Sequence, residues 1–171
     1  MASVVFFRAV NVGLHQRFSP GTLAKELSGF GVVNIGAAGT FAVRNHVSDA
    51  RLKAEILHRL SFKPELMICP AADVLALADG KVFGKIPEGK DVKPFLTVMQ
   101  KPLSSPPKLP IEYPAAGKWE VRIVGVRGRF VLTLRRPGDL YSNAVVEKLF
   151  GVPATTRGWN TIAAVVKALE K

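Results

Sequence analysis

The chain has 171 residues, of which 48% are hydrophobic and 22% are charged. This composition is typical of a globular protein and excludes wholesale disorder, and no stretch approaches the roughly 20 apolar residues that a membrane-spanning helix needs. A single cysteine, Cys69, excludes an internal disulfide framework and any metal site built from several cysteines. We therefore expect a protein of the reducing cytoplasm that acts without a membrane partner and without a cofactor.

The net charge is +11 at pH 7, and it is unevenly distributed along the chain. Residues 1–100 contain twelve Lys and Arg against eight Asp and Glu, a net charge of +4, whereas residues 101–171 contain twelve against five, a net charge of +7. Surplus positive charge attracts phosphate groups, so the C-terminal part is the candidate region for an anionic partner. The alternative is that the charge only keeps the protein soluble.

The first half of the chain has the pattern of a strand-rich unit with two helices. An apolar run rich in Val and Phe at 4–10 is typical of a buried strand. Ser19 followed by Pro20 is typical of the start of a helix, with Ser19 as the N-cap. The remaining predicted elements are strands at 32–37, 40–44 and 65–69 and a helix capped by Asp49.

The second half of the chain predicts further strands followed by two helices. A strand is expected at 95–99, and the proline-rich stretch 102–114 is expected to be a loop. Ser142 is expected to cap one helix, and Asn160 or Thr161 to cap the last one. Strands and helices are therefore mixed in this half as they are in the first.

A β-hairpin between residues 119 and 135 is the clearest local signal in the sequence. If Arg127-Gly128 forms a two-residue turn, Ile123 faces Leu132 on an apolar side of the hairpin. The same register places Arg122 opposite Thr133 on the solvent side. A slip of one residue would bury charged side chains, so the register is strongly constrained. Arginine is unfavourable at a turn position that needs a positive φ, and a type II turn with Gly128 in its third position is the alternative.

Together these elements predict an α+β fold made of two units. Residues 1–80 have the order β-α-β-β-α-β, which is the split βαβ pattern of a ferredoxin-like sheet with two helices on one face. Residues 81–171 predict a second small α+β unit that contains the antiparallel hairpin. We expect the second unit to pack on the first as one compact protein.

Polar residues at the end of the first predicted strand form the first candidate site. Arg8 and Asn11, followed by Gly13, can present a guanidinium, an amide and an open backbone to one ligand. The alternative is that Asn11 caps the turn and Arg8 pairs with a carboxylate. The sequence leaves both interpretations open.

A second polar segment, 155–161, is predicted to precede the last helix. The free N–H groups at a helix start and the helix dipole both favour anions, so Arg157, Asn160 and Thr161 are candidate ligand-binding residues. Trp159 belongs to the same candidate site, where it can stack on a base. The alternative is a capping loop with a tryptophan packed in the core.

These two segments carry a resemblance to a known family. The pattern Arg-x-x-Asn-Val-Gly after the first strand, with Gly-Val-Pro-Ala-Thr-Thr-Arg-x-Trp-Asn-Thr before the last helix, resembles the domain-of-unknown-function 1697 family of bacterial proteins. The resemblance extends over essentially the whole chain in order and spacing, and the motif at 151–161 is its specific part. It implies a duplicated ferredoxin-like α+β fold and no established activity. The positions that match the family are Arg8, Asn11, Val12, Gly13, Arg157, Trp159, Asn160 and Thr161.

The chain departs from the family pattern at several positions. The family has glycine where this chain has Ala9, and a polar Ser-Gly-Asn turn where this chain has Ala38, Gly39 and Thr40. Gly158 stands where the family usually has asparagine. If the polar residues form one site in the family, the site of this chain is weakened or altered.

The leading functional hypothesis is a binding module for an anionic partner, either nucleic acid or a small anionic ligand. Phosphate contacts dominate such binding, so affinity is expected to fall steeply with salt. A metal site is not expected, because His15, His46 and His58 are scattered along the chain. The basic surface that this hypothesis uses consists of Arg122, Arg127, Arg129, Arg135 and Arg136, with Arg157 nearby.

The alternative hypothesis is an enzyme that acts on a phosphorylated or carboxylated small molecule in a cleft between the two halves. Its substrate would be held by four residues, which must converge on one pocket. They are Arg8, Asn11, Arg157 and Asn160. No general base accompanies them in the sequence, so no reaction follows, and the oligomeric state is also left open.

Overall fold

The structure, a computed structural model, describes residues 1–10, 17–87, 89 and 91–171. It combines two antiparallel sheets with helices, so the predicted α+β class is confirmed. Along the chain the strands and α-helices are β1 (Ser3–Arg8), α1 (Pro20–Glu26), β2 (Val32–Asn34), β3 (Thr40–Val43), α2 (Asp49–His58), β4 (Glu65–Pro70), α3 (Ala71–Leu75), β5 (Lys93–Met99), β6 (Ile111–Tyr113), β7 (Val121–Arg127), β8 (Phe130–Arg135), α4 (Ser142–Phe150), β9 (Ala154–Gly158) and α5 (Trp159–Leu169). Short 3-10 helices lie at Ser28–Phe30 and Lys81–Phe83.

The chain divides into two compact units that differ from the predicted halves at the C-terminus. The first unit contains residues 1–78 and 160–171, and the second contains residues 79–159. The boundary near residue 79 lies close to the predicted one, but the last helix belongs to the first unit. Within that unit, the Nε of Arg44 donates a 2.8 Å hydrogen bond to the carbonyl of Ala168, which fastens the end of α5 beside β3.

The sheet of the first unit has the order β2-β3-β1-β4, with neighbouring strands antiparallel. In the central strand β1, Val5 and Phe7 pack with Leu23 of α1 and Leu52 of α2. Because side chains alternate along a strand, Phe6 points to the opposite face, and it is buried as well. The predicted order β-α-β-β-α-β is confirmed, and the ferredoxin-like assignment of the unit stays a prediction.

Helices α1 and α2 of the first unit begin with serine caps. Ser19 was predicted correctly, since its hydroxyl accepts a 3.3 Å hydrogen bond from the N–H of Thr22. The prediction that Asp49 caps α2 is wrong, because Ser48 accepts from the N–H of Arg51 and Asp49 is the first helical residue. An acidic residue in the first turn still favours the helix through its dipole.

The sheet of the second unit has the order β6-β7-β8-β5-β9, again antiparallel. Helix α4 packs against β5, β8 and β9 on one face. Its Val146 lies in an apolar cluster with Met99, Ile123 and Val131. The edge strand β6 lies inside the stretch 102–114 that was predicted to be a loop, because a strand of three residues between prolines leaves almost no periodic signal.

The predicted register of the hairpin β7–β8 is wrong. Arg127 pairs with Phe130, so the turn is Gly128-Arg129, and Ile123 pairs with Thr133 rather than with Leu132. Gly128 has a φ of 59°, which is the left-handed conformation that the first position of such a turn requires. A bulge between Ile123 and Gly125 then shifts the pairing by one residue.

The start of α4 also differs from the prediction that Ser142 caps it. Tyr141 occupies the N-cap position, and Ser142 is the first helical residue. The hydroxyl of Ser142 instead accepts a 2.9 Å hydrogen bond from the hydroxyl of Thr133, and both residues are buried. The hydroxyl of Ser142 is therefore the hydrogen-bond partner of a buried threonine in the sheet and does not cap the helix.

Candidate functional site

The first predicted site begins at the end of β1, where Arg8 is paired with an acid. Its Nη1 lies 3.1 Å from the Oε1 of Glu65, the residue opposite it on β4. This contact is the carboxylate pairing that the alternative interpretation expected. Asn11, Val12 and Gly13 lie outside the described residues. Ala9 has a φ of 56°, in the left-handed region that favours the glycine of the family pattern.

The segment of the second predicted site, residues 155–161, is a strand followed by the first turn of α5, so the prediction that Asn160 or Thr161 caps this helix is wrong. The ligand-binding role of its residues stays a prediction. Thr155, Thr156 and Arg157 belong to β9, which pairs along β5 and runs directly into α5. Asn160 and Thr161 lie within the first turn of α5 rather than capping it. The two β-branched threonines favour the strand, and the burial of Thr155 hides part of the polar character of the segment.

Arg157 is a buried cation of the second unit. Its Nη1 donates 2.6 Å and 3.0 Å hydrogen bonds to the hydroxyl of Thr155 and the carbonyl of Thr156. Burial lowers the pKa of Arg157 to about 10, so the side chain stays charged at neutral pH. Trp159 is half-buried and packs edge-to-face on Phe83 at a centroid distance of 4.9 Å, and its stacking on a base stays a prediction.

The four residues of the predicted enzyme site are distributed over both units. Arg8 and Asn160 belong to the first unit, Arg157 belongs to the second, and Asn11 lies outside the described residues. Arg8 and Arg157 bind groups of their own units. Convergence of the four side chains on one pocket stays a prediction.

The five arginines of the predicted basic surface lie on one hairpin but at its two ends. Arg127 and Arg129 are at the turn, whereas Arg135 and Arg136 are at the open end with Arg122. A strand rises about 3.4 Å per residue, so the six positions from Arg129 to Arg135 separate the two groups by about 20 Å along the strand. The open end is where further cations and cavities are found.

Arg135 is fixed by backbone carbonyls and an aromatic ring. Its Nε donates to the carbonyl of Leu140 at 2.8 Å, and its Nη2 donates to that of Gly138 at 3.2 Å. The guanidinium also lies 4.4 Å from the ring centre of Tyr141. A carbonyl is neutral, so these contacts position the guanidinium without cancelling its charge.

Arg136 and Arg122 both lie over the indole ring of Trp119, at 3.8 Å and 4.3 Å from the ring. Arg136 also donates a 3.4 Å hydrogen bond to the Trp119 carbonyl. Arg122 is paired with Glu112 at 3.2 Å, so its charge is compensated. The ring positions the guanidinium of Arg136 and leaves its charge in place. Trp119 itself is buried, with 4% of its surface exposed.

A groove of about 460 Å³ lies at this open end, and we call it the cationic groove. Lys93, Arg135 and Arg136 line it together with Asp91, which leaves an excess of two positive charges. Lys93 is directly opposite Arg135 on the neighbouring strand, and like charges in this position destabilise a sheet. An anion bound between the two would relieve that repulsion.

A smaller pocket of about 250 Å³, which we call the aromatic pocket, shares Phe95 and Arg135 with the cationic groove. It is also lined by Tyr141 and Asn143. Tyr141 is 60% exposed although its side chain is large and largely apolar. No local sequence pattern distinguishes Tyr141 and Asn143, because the turn after β8 brings Tyr141 to the guanidinium of Arg135.

The first unit contains a groove of about 520 Å³ with a different lining. Arg17 is the cation that lines it, beside Phe18 and the turn residues Ala37 and Ala38. Thr40, another position that departs from the family pattern, is fully buried in β3. This groove is larger than the cationic groove but has fewer positive charges in its described lining.

Two general features of the described residues bear on function. No group of three or more His, Cys, Asp or Glu side chains within these ranges is placed to hold a metal ion. Across the same ranges, no helix combines the length and the apolar character needed to cross a bilayer. The cationic groove itself is lined by charged side chains, including the carboxylate of Asp91, and by the ring of Phe95.

Comparison with known proteins finds one informative similarity. No family model and no curated protein matches the chain. Among solved structures, it is similar to the conserved bacterial protein SP0830 from Streptococcus pneumoniae, with a TM-score of 0.58 and 15% sequence identity over 98% of each chain. At this identity the similarity shows a shared fold.

Proposed function

We propose that the protein is a binding module for an anionic, phosphate-bearing ligand that occupies the cationic groove of the second unit. The observation that carries the proposal is the placement of Lys93 opposite Arg135, with Arg136 beside them, around one cavity. Residues 79–159 contain fourteen Lys and Arg against seven Asp and Glu, a net charge of +7, which adds a long-range attraction for anions.

The way the two arginines are held supports the same function. Carbonyl oxygens and the rings of Trp119 and Tyr141 fix both guanidinium groups, so little side-chain freedom is lost when a ligand binds. Arginine presents a planar fork of donors that matches a phosphate group. Lys93 is exposed and adds a mobile point charge at the rim.

We infer also that the chain is a member of the domain-of-unknown-function 1697 family and acts in the cytoplasm. Its sequence motifs support the family assignment, and its single, buried Cys69 suits a reducing compartment. Neither inference supplies a ligand. The ligand class rests on the cationic groove alone.

The experiment is a calorimetric titration at low salt with inorganic pyrophosphate and, separately, with a single-stranded oligonucleotide. Lys93→Gln removes one charge that lines the groove, and Lys63→Gln removes one from an exposed position of the first unit. We expect Lys93→Gln to weaken binding about tenfold, the effect of losing one charged contact, while Lys63→Gln changes it little.

Two results would contradict the proposal. One is the absence of binding by both probes at low salt. The other is an equal loss of affinity in the two lysine variants, which would show that binding depends on the net charge of the chain and not on the groove. Comparing the affinities for the oligonucleotide and for pyrophosphate shows whether the bound anion belongs to a nucleic-acid backbone or to a free phosphate compound.

A further inference from the structure

We propose that the ligand of the cationic groove is a nucleotide whose phosphate lies among Lys93, Arg135 and Arg136 and whose base lies in the aromatic pocket. This inference rests on the proposed anion-binding function and adds the second chemical group of the ligand. The two cavities share Phe95 and Arg135 as a common wall. A ligand that fills both has an anionic end and a flat or apolar end.

The aromatic pocket offers the features by which proteins hold a base. Tyr141 keeps 60% of its surface exposed, and the guanidinium of Arg135 lies 4.4 Å from its ring centre, which orders the ring at the surface. Phe95 provides a second aromatic side chain in the lining. Stacking on aromatic rings holds bases without regard to sequence, because every base has a flat face.

Polar groups in the same pocket suit the edge of a base. Asn143 carries a donor and an acceptor on one amide, which is the combination that a base edge requires. The hydroxyl of Thr156, also in the lining, already bonds that of Thr97 at 2.8 Å. Gly158 adds no side chain, so the floor of the pocket there is open backbone.

The volumes agree with a ligand of this size. Ligand pockets usually measure roughly 300–1,000 Å³, and the cationic groove of about 460 Å³ reaches that range before the pocket of about 250 Å³ is added. A lone phosphate or carboxylate would leave the aromatic pocket empty. The single shared arginine, Arg135, would contact the phosphate on one side while its Tyr141 partner contacts the base.

The test compares ligands that differ only in the ring. Adenosine 5′-monophosphate is titrated against ribose 5-phosphate, and a short single-stranded oligoadenylate against an oligonucleotide of the same length without bases. We expect the ring-bearing member of at least one pair to bind about tenfold more tightly, the effect of stacking one base. Tyr141→Ala should remove that advantage, whereas Tyr141→Phe should retain it.

A matched control is provided by Tyr113, the other tyrosine of the chain. Its ring also has a cation nearby, since Lys148 lies 5.1 Å from the ring centre, but Tyr113 is in the edge strand β6 and does not line either cavity. Tyr113→Ala should leave the ratio between ring-bearing and ringless ligands unchanged. The ratio is measured on folded protein, so a loss of stability in a variant does not mimic the result.

Each outcome distinguishes this inference from the proposed function. Equal affinity for the ring-bearing and ringless members of both pairs overturns the nucleotide inference and leaves anion binding intact. A ring advantage that survives Tyr141→Ala also overturns it, because the base would then lie elsewhere. No binding by any of these compounds, nor by pyrophosphate, removes both.

Discussion

Two arginines of the first unit and two at the open end of the hairpin in the second unit are held by different partners. In the first unit Arg8 pairs with Glu65 at 3.1 Å, and Arg59 pairs with Glu55 at 2.6 Å. At the open end of the hairpin in the second unit, Arg135 donates to two backbone carbonyls, and Arg136 donates to one and lies on an indole ring. A carboxylate cancels a guanidinium charge, whereas a carbonyl or a ring leaves it in place.

This difference matters because charge available to a ligand cannot be counted from composition alone. An arginine paired with an acid contributes a neutral pair to the surface field. Arg135 and Arg136 are immobilised and still positive, which is the condition under which binding an anion costs little entropy. Arg44 of the first unit, bound to the carbonyl of Ala168, shows that the distinction is one of local partners rather than of units.

The largest expected effect comes from replacing the ring that carries Arg136. Trp119→Leu should lower the free energy of unfolding by about 3 kcal/mol, because a buried indole and two cation–π contacts are lost. It should also weaken pyrophosphate binding severalfold although Trp119 does not line the groove. Urea unfolding and calorimetry measure the two effects.

The control for this variant is an aromatic residue of the first unit. Phe18 stacks on Phe7 at 5.2 Å, and Phe18→Leu should reduce stability without changing pyrophosphate affinity. If Trp119→Leu also leaves the affinity unchanged, the indole ring does not position Arg136 for binding. The neutral partners of Arg136 would then give it no advantage in anion binding over an arginine paired with an acid.

The second effect compares arginines with neutral and with acidic partners. Arg135→Met should cost about 2 kcal/mol, because two charge-assisted hydrogen bonds are lost and the carbonyls of Leu140 and Gly138 lose their donor. Arg59→Met should cost much less, since exposed ion pairs contribute little to stability. Urea unfolding of both variants checks the order, and the reverse order would contradict the comparison.

Much of the first unit was predictable because its local signals agree with its tertiary structure. Ser19 caps its helix as expected, and the apolar run of β1 is the centre of the sheet. The hairpin register failed for a physical reason. All side chains from Phe130 to Leu134 are buried, so the alternation that distinguishes the two faces is absent from β8.

The candidate site was predictable only in part. Arg135 and Arg136 were recognised as basic residues, but nothing local distinguishes them from Arg127 at the far end of the hairpin. Lys93 and Tyr141 were missed because they reach the site through long-range pairing and the turn after β8. Arg157 illustrates the opposite error, since a polar residue in a sequence motif is buried in a strand.

A smaller effect tests the repulsion between Lys93 and Arg135. In the absence of ligand, Lys93→Gln should raise stability by about 0.5 kcal/mol at low salt, because like charges directly opposite on neighbouring strands destabilise a sheet. The gain should disappear at high salt, where exposed charges are screened. Lys63→Gln should show no such gain, and a loss of stability in Lys93→Gln would mean that the lysine is held by a favourable contact.

The smallest effect separates the two kinds of arginine by pH. The hydrogen bond from Arg59 holds the pKa of Glu55 below its ordinary value of 4.5. A carboxyl with a lowered pKa stabilises the fold above its unfolded pKa, and that contribution is lost as the pH falls through its folded pKa. The penalty of Arg59→Met should therefore be present at neutral pH and vanish below the folded pKa of Glu55.

The carbonyl partners of Arg135 do not titrate, so the penalty of Arg135→Met should be the same at both ends of that pH range. Urea unfolding of the wild type and both variants at neutral and acidic pH measures the two penalties. In addition, carboxyl NMR of Arg59→Met should show the pKa of Glu55 returning upward towards 4.5. The penalty of Arg135→Met should not decrease as the pH is lowered. If it decreases as steeply as the penalty of Arg59→Met, Arg135 also interacts with a carboxylate, because protonation of an acidic partner is what makes such a contact depend on pH.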